Sequence, residues 1–130
     1  DFRAICKGVE LIQEGAIFIA TNPDENLPGK FGIEPGCGAV AAMIAKASGK
    51  KPYFIGKPNP LMIRYALTTL GVRAQDAVII GDRMETDVIA GLENGMTTYL
   101  VLSGVTKKIE IEKFPYRPTK VFASVAEIFP

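Results

Sequence analysis

Histidine is absent from the 130 residues, which removes serine-histidine triads and histidine-ligated metal centres from the chemistry open to the chain. Cysteine occurs only twice, as Cys6 and Cys37, without the paired spacing that a zinc site requires, so both read as reduced core thiols. No apolar stretch approaches the ~20 residues of a membrane span, and the first residues show neither a charged-then-apolar leader nor a small-residue cleavage site. Charge of one sign is also missing. Fifteen basic against fourteen acidic side chains leave +1, so no global field draws the chain to nucleic acid or to an anionic membrane. The nucleotide-cradling patterns GxGxxG and GxxxxGK[ST] do not follow any predicted strand. A cytoplasmic protein whose chemistry rests on carboxylates and lysines is the expectation. The chain begins at Asp1 with no methionine, and residues preceding it are expected.

What is present is the composition of a globular domain, 48% apolar and 22% charged, in a length that suits about one compact core. Ile5, Val9 and Ile12 lie on one helical stripe that Gly15 terminates, and residues 16–20 (AIFIA) read as a buried strand. Residues 21–35 are crowded with proline, glycine, asparagine and acidic side chains, which predicts a long loop, and loops of that length are usually functional. A second helix is expected with Cys37, Val40, Ile44 and Ala47 on its stripe and Gly49 at its end, followed by a strand over 52–55. Asn59 and Pro60 start a third helix with Ile63, Leu67 and Leu70 inward and Gly71 as its stop. Residues 77–80 (AVII) form a buried strand, Thr86 and Asp87 open a fourth helix, and 97–102 form the next strand. Residues 103–119 read as loop with a short helix. A last strand spans 121–123, and Ser124 to Glu127 matches a capping box that would start a terminal helix.

Strands alternating with helices imply an α/β fold with a parallel sheet, in which ligands bind at the carboxyl ends of the strands. Two such ends carry chemistry. GDRMETD at 81–87 places Asp82 at a strand end and Asp87 at the next helix, and two carboxylates about 4 Å apart repel by about 4 kcal/mol at an effective dielectric near 20. A hard cation such as Mg²⁺ would relieve that repulsion while keeping sites for water and phosphate. Gly56-Lys57-Pro58 places an ammonium at the same edge of the sheet, and lysine is a point-charge partner for phosphate. Alone, GKP is commonly only a turn, GD before a helix only a cap, and TNPD at 21–24 only an Asx turn. The first two together, each directly after a buried strand, favour one site holding a metal and a lysine.

GKPNP at 56–60 and GDRMETD at 81–87 resemble the third and fourth motifs of the haloacid dehalogenase superfamily phosphatases. ATNPD at 20–24 and PGCGA at 35–39 are similar to segments of the large α/β (class II) cap in the NagD and p-nitrophenyl phosphatase-like subgroup. The resemblance implies the C-terminal half of a Rossmann-like hydrolase core over 52–130 and the distal part of a cap domain over 1–51. It implies hydrolysis of small phosphorylated metabolites with Mg²⁺ as cofactor, through an aspartyl phosphate. Lys57, Asp82 and Asp87 would be catalytic: Lys57 would hold phosphate, Asp82 would ligate the metal directly, and Asp87 would support it. The loop from Asp24 to Ile33 would govern substrate choice, with Asn22, Asp24, Glu25 and Asn26 as substrate-binding candidates, and the cap could mediate a homodimer. The first motif, which carries the attacking aspartate, is not found in these residues, nor is the second motif's Ser/Thr. The expectation is therefore an active longer parent and an inert 130-residue chain. A non-catalytic receiver-like domain that binds phosphate or metal is the rival, and the order of Lys57 before Asp82 and Asp87 argues against it.

Overall fold

The computed structural model describes residues 1–129. They form two compact units, the first over residues 1–56 and the second from residue 57 onward.

The first unit opens with helix α1 (Phe2–Gln13), whose N-terminal amides are met by the Asp1 carboxylate, 2.9 Å from the Ala4 N–H. Its inward residue is Ile12, and it packs against α2 (Cys37–Ser48). The strand expected over 16–20 is shorter than its apolar run suggests. The Ala16 N–H turns back to the Leu11 carbonyl at 2.9 Å, with Gly15 at φ +108°, and only β1 (Ile19–Ala20) is extended. β1 pairs in parallel with β4 (Tyr53–Phe54).

Residues 21–35 do not form a plain loop. They contain an antiparallel hairpin, β2 (Asn26–Gly29) against β3 (Gly32–Pro35), closed through Lys30 and Phe31. Pro28 and Pro35 are tolerated because a two-stranded ribbon has free edges where no N–H is needed. Gly32, at φ +125°, supplies a conformation that side-chain-bearing residues avoid. Helix α2 buries Gly38, Ala41 and Ser48, which rotates the inward face from the expected Cys37, Val40, Ile44 and Ala47. Small residues win there because the backbone at Pro23 and Asp24 presses onto the helix start; a Cβ on Gly38 would overlap the Pro23 carbonyl.

In the second unit, α3 (Pro60–Leu70) begins as predicted, with the Asn59 side chain accepting the Leu61 N–H at 2.9 Å and Gly71 left-handed at its end. Ile63 is buried, whereas Leu70 is exposed. The sheet is β5-β6-β7, all parallel: β5 (Val78–Gly81), β6 (Thr97–Val101) and β7 (Lys120–Phe122). Contrary to expectation β4 is not part of it, since β4 pairs with β1. Lys57 therefore follows a strand of a different sheet from the one that carries Asp82. After β5 the chain makes a π turn (Met84–Val88) that runs into α4 (Ile89–Glu93), so the helix starts before the predicted Thr86. The core here is Met84, Val88, Leu100 and Ile111, with Leu102, Phe114 and Tyr116 against it. A 3-10 segment at Lys108–Lys113 is the short helix expected between β6 and β7. The predicted terminal helix is only a 3-10 turn, Val125–Glu127: Ser124 makes no capping bond, and Glu127 accepts the Ala123 N–H instead.

Two glycines separate close packing from open space. A Cβ on Gly91 would overlap Ile79 and Thr98, whereas one on Gly8 would meet nothing within 4 Å. Gly91→Ala is expected to destabilise the fold by about 1–3 kcal/mol. Gly8→Ala, within α1, is expected to stabilise it by about 0.5–1 kcal/mol. Urea unfolding midpoints of the two variants check the opposite signs.

Candidate active site

Asp87 is the centre of the site. Its side chain is 6% exposed, and the π turn that carries it directs the carboxylate back towards the end of β5. There Oδ2 accepts the backbone N–H groups of Asp82 and Arg83, each at 3.1 Å, while Oδ1 receives the Lys57 ammonium at 2.5 Å. Gly81 makes the approach possible, since a Cβ at that position would overlap the Asp87 carboxylate. A buried carboxylate with an ammonium and two amides around it is a satisfied anion. The compensating cation inferred from the sequence as a metal is, for Asp87, the side chain of Lys57.

Asp82 is held differently. Its Oδ2 accepts the Val105 N–H at 2.8 Å, and its backbone carbonyl accepts the Thr106 N–H at 3.0 Å. Its Oδ1 has no hydrogen-bond partner among the described residues. Thr106 is buried and its hydroxyl accepts the Met84 N–H at 3.2 Å, and the Tyr116 hydroxyl donates to the Met84 carbonyl at 3.2 Å. Burial pushes the Tyr116 phenol above its usual range, and Glu85 and Glu93 add to the shift. The turn from 82 to 84 is thus pinned from the β6–β7 connection. Residue types alone do not single out Gly104, Val105 and Thr106, although SGVT stands directly after a parallel strand, where the strand-end rule points.

Among the described residues no group of three or more Cys, Asp or Glu side chains forms a metal cage. The donor set nevertheless fits Mg²⁺, which takes one or two carboxylate oxygens and keeps waters and phosphate for its other positions. Asp82 Oδ1 is the oxygen free to bind it; both oxygens of Asp87 already have protein donors.

Asn22, Asp24, Glu25 and Asn26 lie in the first unit, at the start of α2 and the hairpin. The Asn22 side chain accepts the Asp24 N–H at 3.1 Å in an Asx turn. The carbonyls of Asp24 and Glu25 accept the N–H groups of Gly38 and Gly36, at 2.8 and 2.9 Å, and Asn26 opens β2 opposite Pro35. Beside them the Thr21 hydroxyl donates to Cys37 Sγ at 3.2 Å. The Asn22 backbone N–H, followed by the Thr21 hydroxyl, holds the Cys37 thiol below its ordinary pKa, against the effect of burial and Asp24.

A family model described as HAD-hydrolase-like matches residues 54–128. The chain belongs to the haloacid dehalogenase-like hydrolase family. Within that family it is 51% identical over 128 residues to the dihydroxyacetone phosphatase of Corynebacterium glutamicum, covering 98% of this chain and 46% of that protein. It is 46% identical over 122 residues to the ribonucleotide monophosphatase NagD of Escherichia coli, covering 94% of this chain and 48% of the relative. The solved structure of that NagD superposes with a TM-score of 0.85 at 42% identity, over 98% of this chain and 50% of the other. A glycerol phosphate phosphatase from Mycobacterium tuberculosis, solved with magnesium, gives 0.86 at 29% identity, over 95% of this chain and 38% of the other. p-Nitrophenyl phosphatases share the likeness. The chain therefore spans about half the length of the curated relatives it matches.

Among the described residues Asp87 accepts from three donors and Lys57 donates to one acceptor. Asp87→Ala is expected to cost about 2–4 kcal/mol by stranding two backbone N–H groups and an ammonium. Lys57→Ala, which leaves Asp87 its two amides, is expected to cost about 1 kcal/mol. Chemical unfolding of both variants checks the order. In a Cys6→Ser background, Thr21→Val is expected to raise the pH at which Cys37 becomes alkylatable, because a bond that favours the thiolate is lost; the pH profile of iodoacetamide labelling reads the shift.

Proposed function

We propose that the chain is the C-terminal portion of a Mg²⁺-dependent phosphomonoester hydrolase that acts on small phosphorylated metabolites. The observation that carries the reading is the Lys57–Asp87 ion pair bonded to the backbone N–H of Asp82, whose own Oδ1 has no hydrogen-bond partner among the described residues. An ammonium and a metal-binding oxygen at one strand end suit a phosphoryl group, whose transfer depends mainly on positioning and on charge neutralisation. In this reading Lys57 binds phosphate oxygen while Asp87 fixes its position, and Asp82 ligates the metal. Bound Mg²⁺ would neutralise charge on the transferring phosphoryl group. The nucleophile is an aspartate outside these 130 residues, phosphorylated and then hydrolysed by water.

The first unit supplies the cap-like portion, in which the segment from Asp24 to Ile33 governs substrate choice and Asn22, Asp24, Glu25 and Asn26 are the substrate-binding residues. Relatives named for dihydroxyacetone, ribonucleotide and acid sugar phosphatase activities support a small phosphorylated metabolite as substrate. Phe2, Ile17, Phe31, Ile33, Tyr65 and Leu70 are each more than two-thirds exposed, which supports further polypeptide, or a second copy at the cap, covering apolar surface in the active protein. No helix among the described residues is long and apolar enough to cross a membrane. We place the enzyme in the cytoplasm, where Cys6 and Cys37, both free thiols, stay reduced.

In a polypeptide that joins this chain to the nucleophile-bearing segment, Asp82→Asn is expected to abolish Mg²⁺-dependent phosphatase activity with the fold retained. Lys57→Ala is expected to lower kcat by about 10²-fold or more, the scale of a lost charge at the reacting group. Steady-state assays with a phosphomonoester panel check both, and near-normal turnover in either variant rejects its assignment. The 130-residue chain alone is expected to show no turnover.

A further inference from the structure

We propose that Gly104, Val105 and Thr106 form a positioning clamp that presents Asp82 to the divalent cation through one oxygen only, favouring Mg²⁺ over Ca²⁺. The inference rests on the reading of Asp82 as a metal ligand. The two oxygens of a free carboxylate are equivalent; those of Asp82 are not. Oδ2 is taken by the Val105 N–H at 2.8 Å, and Oδ1 is left without a protein partner among the described residues. Chelation through both oxygens would set the cation in competition with the Val105 N–H for Oδ2.

The loop that supplies that N–H is itself fixed. Thr106 is 4% exposed and is bound twice, its N–H to the Asp82 carbonyl at 3.0 Å and its Oγ1 to the Met84 N–H at 3.2 Å. Gly104 leaves no slack, since a Cβ there would overlap Oδ2, Cβ and Cγ of Asp82. Loop and aspartate therefore hold one another at main chain and side chain together. Mg²⁺ demands near-octahedral geometry with short bonds, which single carboxylate oxygens satisfy, whereas Ca²⁺ accepts six to eight ligands and often both oxygens of one carboxylate. A carboxylate that offers one oxygen more readily than the other penalises the larger ion. Groups that orient a metal ligand from behind commonly change metal affinity by about 10–100-fold when removed.

The test is calorimetric titration of Mg²⁺ and of Ca²⁺ into the polypeptide used for the activity assay. Gly104→Ala is expected to weaken Mg²⁺ binding by about tenfold and to narrow the Mg²⁺/Ca²⁺ affinity ratio. Thr106→Val is expected to move both quantities in the same direction, and Thr106→Ser, which keeps the acceptor for Met84, to restore them. Should Gly104→Ala fail to fold, the Thr106 pair decides. Mg²⁺ affinity and ion ratio unchanged in the folded variants, while Asp82→Asn loses binding, would overturn the clamp and leave the function intact. Undiminished Mg²⁺ binding by Asp82→Asn would instead remove the reading on which the clamp rests.

Discussion

A buried carboxylate needs donors on all sides, and the surroundings of Asp87 are arranged to meet that need. Removing such a group from water costs several kcal/mol unless charge and hydrogen bonds replace the solvent. Lys57 brings the charge, and the amides of Asp82 and Arg83 bring the hydrogen bonds. Sequence features that read as separate turns arise from this one requirement. Gly81 lacks a side chain because the carboxylate occupies its place, and the turn after β5 widens to a π turn where Asp87 reaches back to the strand end. Fixing Asp87 also fixes the amide of Asp82, the residue proposed to bind metal.

The two aspartates divide the work. Asp87 is saturated by protein donors and serves to hold Lys57 and the strand end; Asp82 keeps one oxygen open. The like-charge repulsion expected from the sequence is relieved for Asp87 by Lys57 and softened for Asp82 by the Val105 N–H.

Much of this is legible in the sequence, for identifiable reasons. Parallel strands present their carboxyl ends to ligands, so inspecting the residues just beyond each apolar run finds Lys57, Asp82 and Asp87. Helices with explicit stops, Gly49 and Gly71, end near their expected positions because left-handed glycine leaves little ambiguity. The hairpin at 26–35 reads as loop because Pro28, Gly29, Gly32 and Pro35 mimic a breaker run, and a two-stranded ribbon tolerates them where a wider sheet would not. The partner of β4 is not legible, because neither strand length nor apolar content encodes which neighbour a two-residue strand selects. The loop at 104–106 is hidden because its contribution comes mostly from backbone N–H groups and from the lack of a side chain at Gly104, which residue types alone do not advertise.

The most direct test of the central claim is a crystal structure of the nucleophile-containing polypeptide grown with Mn²⁺ and orthovanadate. Anomalous density for Mn²⁺ against Asp82 Oδ1, a vanadate oxygen on Lys57 Nζ, and Asp87 still bound to the amides of Asp82 and Arg83 is the predicted result. Metal bound away from Asp82, or Lys57 directed away from the vanadate, would contradict the account.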